Sequence, residues 1–461
     1  MTNLKKTLAV VLAFAMILSM GLTSMAAYSD VEAGTKVSEA VGILSNLGIL
    51  TGFEDGTFKP EETVTRAQMA AIICRTLGYE DQAQSSMGTT VFNDVAADHW
   101  ASGYINVAQA QQIINGYGDG NYGPEDKVTY EQAVKMIVSA LGYDIAANAK
   151  GGYPTGYLAI ASAEGITKSA NGKVGDAATR GTIAVLVYNS LEVRLMDQNS
   201  WSTDGTDTYG KDNKNILTNY LDVVKVEGIV TDNALTDVAY AGQYQADADS
   251  NVTIDGYGWI FDQYNSQGYS DYKKVALSAV DALDNDDTFD ASHVDVTSLL
   301  GKYVIAYVGE DEVTGKNTVL AIAESKSKND SLKISATQLV EAGQKYWSES
   351  NVIGYTEIGA SRIKDLTLDA SVKVYTNYDK EGTAKNTTQL LSGLVPNGGI
   401  IEFVSNDADS DIEYILVTSY DKEAVIEKVE EINGVYRYET YTAASLDKID
   451  VEDEDKLFVI Y

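Results

Sequence analysis

The stretch Gly-Phe-Glu-Asp-Gly-Thr-Phe-Lys-Pro-Glu-Glu-Thr-Val-Thr-Arg-Ala-Gln, residues 52–68, decides the fold because the chain repeats it. It returns as Gly-Tyr-Gly-Asp-Gly-Asn-Tyr-Gly-Pro-Glu-Asp-Lys-Val-Thr-Tyr-Glu-Gln, residues 116–132, with every position displaced by 64. Gapless register over that length marks a structural repeat. Each copy has an Asp-Gly tight turn, a proline that stops a helix from continuing, and a Thr-x-x-Gln helix start spaced for a capping box. Upstream of the first copy, Val37, Ala40, Val41, Leu44 and Leu47 recur at helical spacing. Gly48, Gly78 and Gly142 fall where helix stops are expected. A third, degenerate copy is read over residues 150–193, with helices over 156–164 and 179–191. Its turn is three residues shorter and lacks the Asp-Gly-aromatic core.

The whole chain has 461 residues and a formal net charge of −33, most of it beyond residue 195. That sign argues against nucleic acid and anionic membrane surfaces as partners. Residues 1–27 read as a removed export signal: Lys5 and Lys6, an apolar run over 8–22, then small residues. No membrane association is expected after cleavage. Cys74 is the sole cysteine, which excludes a disulfide within the chain and a cysteine metal cluster. The two histidines, His99 and His293, leave little for histidine-dependent catalysis.

Residues 194–215 are polar and rich in Gly, Asp, Thr and Ser, as in a linker. Beyond them the apolar period changes from 3.6 to 2, and strands are expected over 223–230, 252–261, 302–308, 318–323, 372–376, 400–404, 413–418, 425–432 and 457–461. Residues 216–461 are therefore read as one or two small, mainly antiparallel β-domains, with a hairpin at Asn433-Gly434. The acidic run over 407–411 starts like a calcium loop, but Ile412 stands where glycine belongs. It reads as a hairpin tip. The runs over 284–287 and 452–455 read as solvated loops. Calcium is the only cofactor left open, and no metal site is assigned.

Arg66 is the residue that local physics does not favour. A cation in the first helical turn faces the positive end of the helix dipole, at a cost of roughly 0.3–1 kcal/mol. An anion shared between the guanidinium and the free amides would reverse that sign. Arg180 follows Thr179 in the same way. Trp100, beside Asp98 and His99, is either core or a ring face for a sugar.

Together, the aromatic-x-Asp-Val lead-in, His99-Trp100-Ala101, the Gly-Tyr-x-Asp-Gly turn and Thr65-Arg66-Ala67-Gln68 resemble the surface-layer homology family over residues 28–193. The resemblance implies an all-α, three-repeat pseudo-threefold trefoil, followed here by the β region in an α+β multidomain chain. It implies non-covalent binding of secondary cell-wall polysaccharide, often pyruvylated, in grooves between repeats. By motif position, Asp30 and Asp94 match the lead-in aspartate, Trp100 the groove tryptophan, and Arg66 and Arg180 the arginine. The first repeat (28–79) lacks His-Trp, the second (92–143) has Tyr130 in place of arginine, and the third lacks both Asp-Val and tryptophan. One principal groove is expected, from Arg66, Asp94 and Trp100, with Arg180 a lesser contributor. The reading is a non-enzymatic, exported surface-layer protein on the cell wall that self-associates in a lattice. A wall-anchored glycan- or protein-binding module is the alternative, ahead of a glycan-active enzyme.

Overall fold

The computed structural model describes residues 28–200, 208–233, 251–261, 272–311, 313–340, 351–376, 379–381, 399–407, 411–419, 425–432, 435–442 and 445–451. The expected signal segment, the strand over 457–461, the acidic run over 452–455 and the Asn433-Gly434 turn lie outside them. The chain divides into two compact units. One runs to residue 227 and adds 256–295 and 305–323; the other takes 228–255, 296–304 and the chain from 324.

The helical part of the first unit holds α1 (Lys36–Asn46), α2 (Arg66–Thr76), α3 (Glu80–Ser85), α4 (Ser102–Ala110), α5 (Tyr130–Ala140), α6 (Asp144–Ala149), α7 (Thr155–Ala163) and α8 (Arg180–Ser190). Short α3 and α6 were not expected; six residues are too few to display a helical period. Thr65 caps α2 as its spacing requires: its side chain accepts from the Gln68 amide at 3.2 Å, and Gln68 Oε1 accepts from the Thr65 amide at 2.9 Å. Gly48, Gly78 and Gly142 take φ of 71°, 66° and 84° at the helix ends, where a side chain would be strained.

Before α2, α5 and α8 run three short extended segments joined by backbone hydrogen bonds in a closed cycle. The Val64 amide donates to Ala178 at 3.0 Å, Ala178 to Val128 at 2.9 Å, and Val128 to Val64 at 2.9 Å. The segments come from the three sequence regions that carry the turn, so the cycle ties residues some fifty or more positions apart. Around it, helices pair across regions: α1 with α8, α2 with α4, and α5 with α7. Ala67, Met69, Ile73, Val134, Ile137, Ile183 and Leu186 are all buried in one continuous core with Phe58 and Tyr122.

Within the stretch 194–215, expected as a linker, the described residues 194–200 and 208–215 extend this core. Leu195 is buried, the Met196 amide donates to Leu141 at 2.9 Å, and Tyr143 Oη donates to the Arg194 carbonyl at 2.8 Å. Within them β1 (Met196–Ser200) pairs antiparallel with β2 (Thr208–Lys211). Next, α9 (Ile216–Tyr220) buries Ile216 and Leu217 in the same cluster. Composition pointed to a linker because polar side chains dominate the stretch, but a few apolar anchors and main-chain bonds decide its place.

The strands that follow are β3 (Val223–Asn233), β4 (Asn251–Phe261), β5 (Tyr272–Ala276), β6 (Thr288–Asp290), β7 (Tyr303–Glu310) and β8 (Asn317–Glu324), in the sheet order β3-β7-β8-β6-β4-β5. The second sheet holds β9 (Asp330–Ser335), β10 (Leu339–Val340), β11 (Val352–Thr356), β12 (Ile363–Thr376), β13 (Asp379–Glu381), β14 (Gly399–Ser405) and β15 (Ile412–Ser419), in the order β10-β11-β12-β15-β14-β9, with β13 on β12. β14 and β15 form the expected hairpin. The pairing is mixed rather than wholly antiparallel, since β12 runs parallel to β15 and β6 parallel to β8. Last come β16 (Val425–Ile432), β17 (Val435–Thr442) and β18 (Ser445–Val451), an antiparallel trio.

Two glycines set how closely the helices of the first unit approach. A Cβ at Gly103 in α4 would overlap the Ala83 carbonyl oxygen, and one at Gly156 in α7 would overlap that of Ala147. The same contact thus occurs in two regions. Gly103→Ala should destabilise the protein by roughly 1–3 kcal/mol through overpacking. Thermal unfolding by circular dichroism checks this, and an unchanged midpoint would refute the assigned contact.

Candidate functional site

The guanidinium of Arg66 does not stand free. Its Nε donates to the Tyr122 carbonyl at 2.8 Å and its Nη2 to the Asn115 carbonyl at 2.9 Å. The group lies 4.7 Å from the Tyr117 ring centroid and 4.5 Å from that of Tyr122, and the residue is 7% exposed. Arg180 repeats the arrangement one region away: Nε donates to Phe58 at 2.7 Å, Nη2 to Thr51 at 2.8 Å, with the Phe53 and Phe58 rings at 4.9 and 4.3 Å. Arg180 is less buried than Arg66. Among the described residues neither guanidinium forms an ion pair with a carboxylate.

The helix-end amides are likewise occupied. Arg66 N donates to Asp126 at 2.9 Å and Ala67 N to Pro124 at 3.0 Å; Arg180 N and Gly181 N both donate at 2.8 Å, to Glu62 and Pro60. The unfavourable position of a first-turn arginine is therefore offset inside the protein. Carbonyl oxygens and ring faces of the next turn take the charge and the orphan donors together. These contacts were not legible in the sequence because the acceptors are main-chain atoms.

Asp30 and Asp94 hold those turns in shape. Asp94 Oδ1 accepts from Tyr122 N at 2.8 Å and Oδ2 from Gly123 N at 2.7 Å; Asp30 accepts from Phe58 N and Lys59 N at 2.8 and 2.7 Å. Desolvation pushes each carboxyl pKa up, but the paired amide donors outweigh it, and both lie below the ordinary aspartate value.

Trp100 is 50% exposed, its ring 5.8 Å from His99 and 6.2 Å from Tyr104. His99 Nδ1 accepts from the Ala101 amide at 3.1 Å, which leaves Nε2 to donate toward Glu125 at 3.3 Å. Beneath the tryptophan, Tyr104 Oη donates to Glu80 Oε1 at 2.6 Å, and Arg75 Nε donates to Glu80 Oε2 at 3.1 Å. Desolvation raises the Glu80 pKa, but the Tyr104 hydroxyl and Arg75 hold it below the usual value. So Trp100 sits over a fixed polar floor with one face open to solvent.

The α5–α7 face repeats this plan with a residue the sequence reading missed. Tyr153 lies two positions before α7, as Trp100 lies two before α4, and it is 49% exposed. Its ring is 6.5 Å from Tyr157, whose hydroxyl donates to Asp144 at 2.6 Å. An aromatic two residues ahead of a helix start was the signal available. On the α8–α1 face, Tyr188 Oη donates to Glu39 at 2.7 Å and Lys36 lies 4.2 Å from the Tyr188 ring centroid. Tyr130, in the place of arginine, packs its ring where a Cβ at Gly172 would fall. A cavity of about 440 Å³ lies beside it, lined by Asn171, Lys173, Asp176, Thr179 and Thr182.

The sequence is similar to those of known proteins. Residues 27–70 and 91–134 match the S-layer homology domain. The middle cell wall protein of Brevibacillus brevis is 27% identical over 381 residues, 81% of this chain and 33% of that protein. The cell surface protein of Thermoanaerobacter kivui is 34% identical over 216 residues, 46% and 27% of the two chains. The surface layer protein of Brevibacillus choshinensis is 33% identical over 205 residues, 44% and 18%. The chain thus spans a third or less of the length of these relatives. Two segments of its N-terminal region match the S-layer homology domain family. The family and the relatives together indicate a secreted, cell-wall or surface-layer location, and the relatives are named as surface proteins, not enzymes.

Two outcomes check the roles assigned to the buried groups. Arg66→Ala should cost about 2–4 kcal/mol, by loss of two charge-assisted bonds and exposure of two carbonyls without donors. Arg66→Lys should not restore it, lacking the planar fork. Equal thermal midpoints for wild type and Arg66→Ala would refute the clamp. For Asp94, the lowered folded pKa means its contribution is complete above the unfolded value, about 4, and is lost as pH falls through the folded value. The gap in thermal midpoint between wild type and Asp94→Asn should be widest at pH 7 and close toward pH 2. A gap independent of pH would refute it.

Proposed function

We propose that this is an exported surface-layer-type protein held on the cell wall by residues 28–193, with its β-rich region, 216–461, available for assembly with further copies in a surface lattice. In this reading residues 150–193 are a third, divergent S-layer homology repeat that closes a pseudo-threefold trefoil. The cyclic bonds among Val64, Val128 and Ala178 support it, as does the recurrence of the Tyr104–Glu80 hydroxyl–carboxylate pair in Tyr157–Asp144.

The anchoring ligand is secondary cell-wall polysaccharide bearing carboxylate substituents, as pyruvate ketals do. The single observation that carries this is Trp100, a half-exposed indole braced by His99 and Tyr104 on the face between α2 and α4. A large ring immobilised from behind and open in front suits stacking on the apolar face of a sugar. Arg66 and Asp94 shape the neighbouring turn, and Arg66 and Arg180 supply positive charge that no carboxylate pairs among the described residues. In a chain of net charge −33, an anionic polymer needs such local cations. Arg180, more accessible than Arg66, is the better placed of the two for direct contact.

Trp100→Ala should weaken cosedimentation with purified wall sacculi roughly tenfold, equivalent to about 1.4 kcal/mol. Its helical circular dichroism should match the wild type. Unchanged cosedimentation would overturn the assignment.

A further inference from the structure

The end of the β11–β12 hairpin displays an apolar side chain to solvent. Ile358 is 90% exposed, the highest value among the described large apolar residues. It stands at a tight turn: the Ala360 amide donates to the Glu357 carbonyl at 2.9 Å, and Gly359 takes φ of 76°, as a glycine-dependent turn requires. Isoleucine gains nothing from such a corner, because it neither favours the turn conformation nor bonds to it. The corner is held fixed, since Lys364 Nζ donates to Glu357 Oε1 across the hairpin. Ile363, where β12 opens, is exposed as well.

Single exposed apolar residues are common and mean little by themselves. Ile358 has a matching cleft in the same unit. On the second sheet, β14 sets Ile400 beside Thr418 and Glu402 beside Leu416 of β15, and Glu402 beside Lys333 of β9. Together with Ser298 they line a cleft of about 150 Å³. Ile400 and Leu416 are only partly buried and give it apolar surface. A space of that order admits a benzene-sized group, which is larger than the side chain of isoleucine.

The charges match too. Glu402 Oε1 lies 3.3 Å from Lys302, while its Oε2 is 3.8 Å from Lys333. The Lys333 side chain is 66% exposed, so it can take a second carboxylate. Glu357, the exposed neighbour of Ile358, carries one. Copies of a chain with net charge −33 repel one another, and a local cation opposite an acid offsets this where they meet.

Tip and cleft cannot serve each other within one chain. Tyr375, which also lines the cleft, lies twelve residues along β12 from Ile363, up to about 40 Å of extended strand. We propose that Ile358 of one copy seats in the Ile400–Leu416 cleft of a second copy, with Glu357 meeting Lys333 at the rim. The two patches lie at opposite ends of β12, so the contact adds copies head to tail. This rests on the lattice reading above and gives it a specific contact.

The test follows self-association of the full mature chain by sedimentation velocity and electron microscopy. Wild type should form oligomers that grow with concentration. Ile358→Asp and, separately, Ser298→Trp, which fills the cleft, should each weaken association roughly tenfold or more, with unchanged thermal midpoints. Mixing these two variants should restore one contact, between the intact tip of one and the intact cleft of the other, and give dimers that do not extend. General stickiness would not produce that stop. Glu357→Lys and Lys333→Glu should each weaken association, and the doubly reversed chain should recover part of it. Ile358→Asp that assembles like wild type, or a mixture that stays monomeric, would overturn this contact and leave the lattice reading in place. Wild type that stays monomeric at every concentration would remove both.

Discussion

Three backbone amides passing hydrogen bonds around a ring, Val64 to Ala178 to Val128 and back, are the constraint on which the helical part depends. Each extended segment donates to one neighbour and accepts from the other, so none is satisfied unless all three are present. The helices that follow start from fixed points on this ring, and their first amides reach carbonyls of the adjacent turn instead of water. Buried polar backbone must be paired, and here the pairing is achieved only between regions, never within one. That makes the ring cooperative: a turn that lost its shape would release bonds in its neighbour as well.

Arginine and aspartate extend the same logic to side chains. Asp30 and Asp94 clamp a turn from within its own repeat, through two adjacent amides. Arg180 and Arg66 seize the same turns from outside, by their carbonyls and rings. A turn held by its amides on one side and its carbonyls on the other has little freedom left. This explains how loops rich in glycine can present a rigid surface. The charged residues Asp30, Asp94, Arg66 and Arg180 are engaged within the turns, whereas the aromatics Trp100 and Tyr153 stay half exposed.

The β region shows a comparable sharing of one element between neighbours. The long strand β12 pairs antiparallel with β11 through its first half and parallel with β15 through its second. Its second half buries Val372, Val374 and Tyr375, whereas its first half is mostly exposed. Periodicity consequently found 372–376 as a strand and left 363–369 unassigned, because an exposed stretch leaves no alternating trace. In the second unit, Lys302 lies between Glu402 and Glu324, at 3.3 and 3.9 Å, so part of the high negative charge is balanced locally.

The sequence by itself determined the repeat, the helix starts at Thr65 and Thr179, the glycine stops and most strand positions. These are local properties, written by side-chain period, capping chemistry and the left-handed freedom of glycine. It also singled out Arg66 as energetically out of place, correctly. What it could not supply was the remedy, since carbonyls 49 and 56 residues away have no residue identity to leave in a pattern. Nor could it show that Tyr153 stands half exposed beside Tyr157, or that residues 194–200 and 208–215 dock on the core. Those were decided by closure of the ring, because only when the three regions meet does a given backbone oxygen, ring face or ammonium acquire its neighbours.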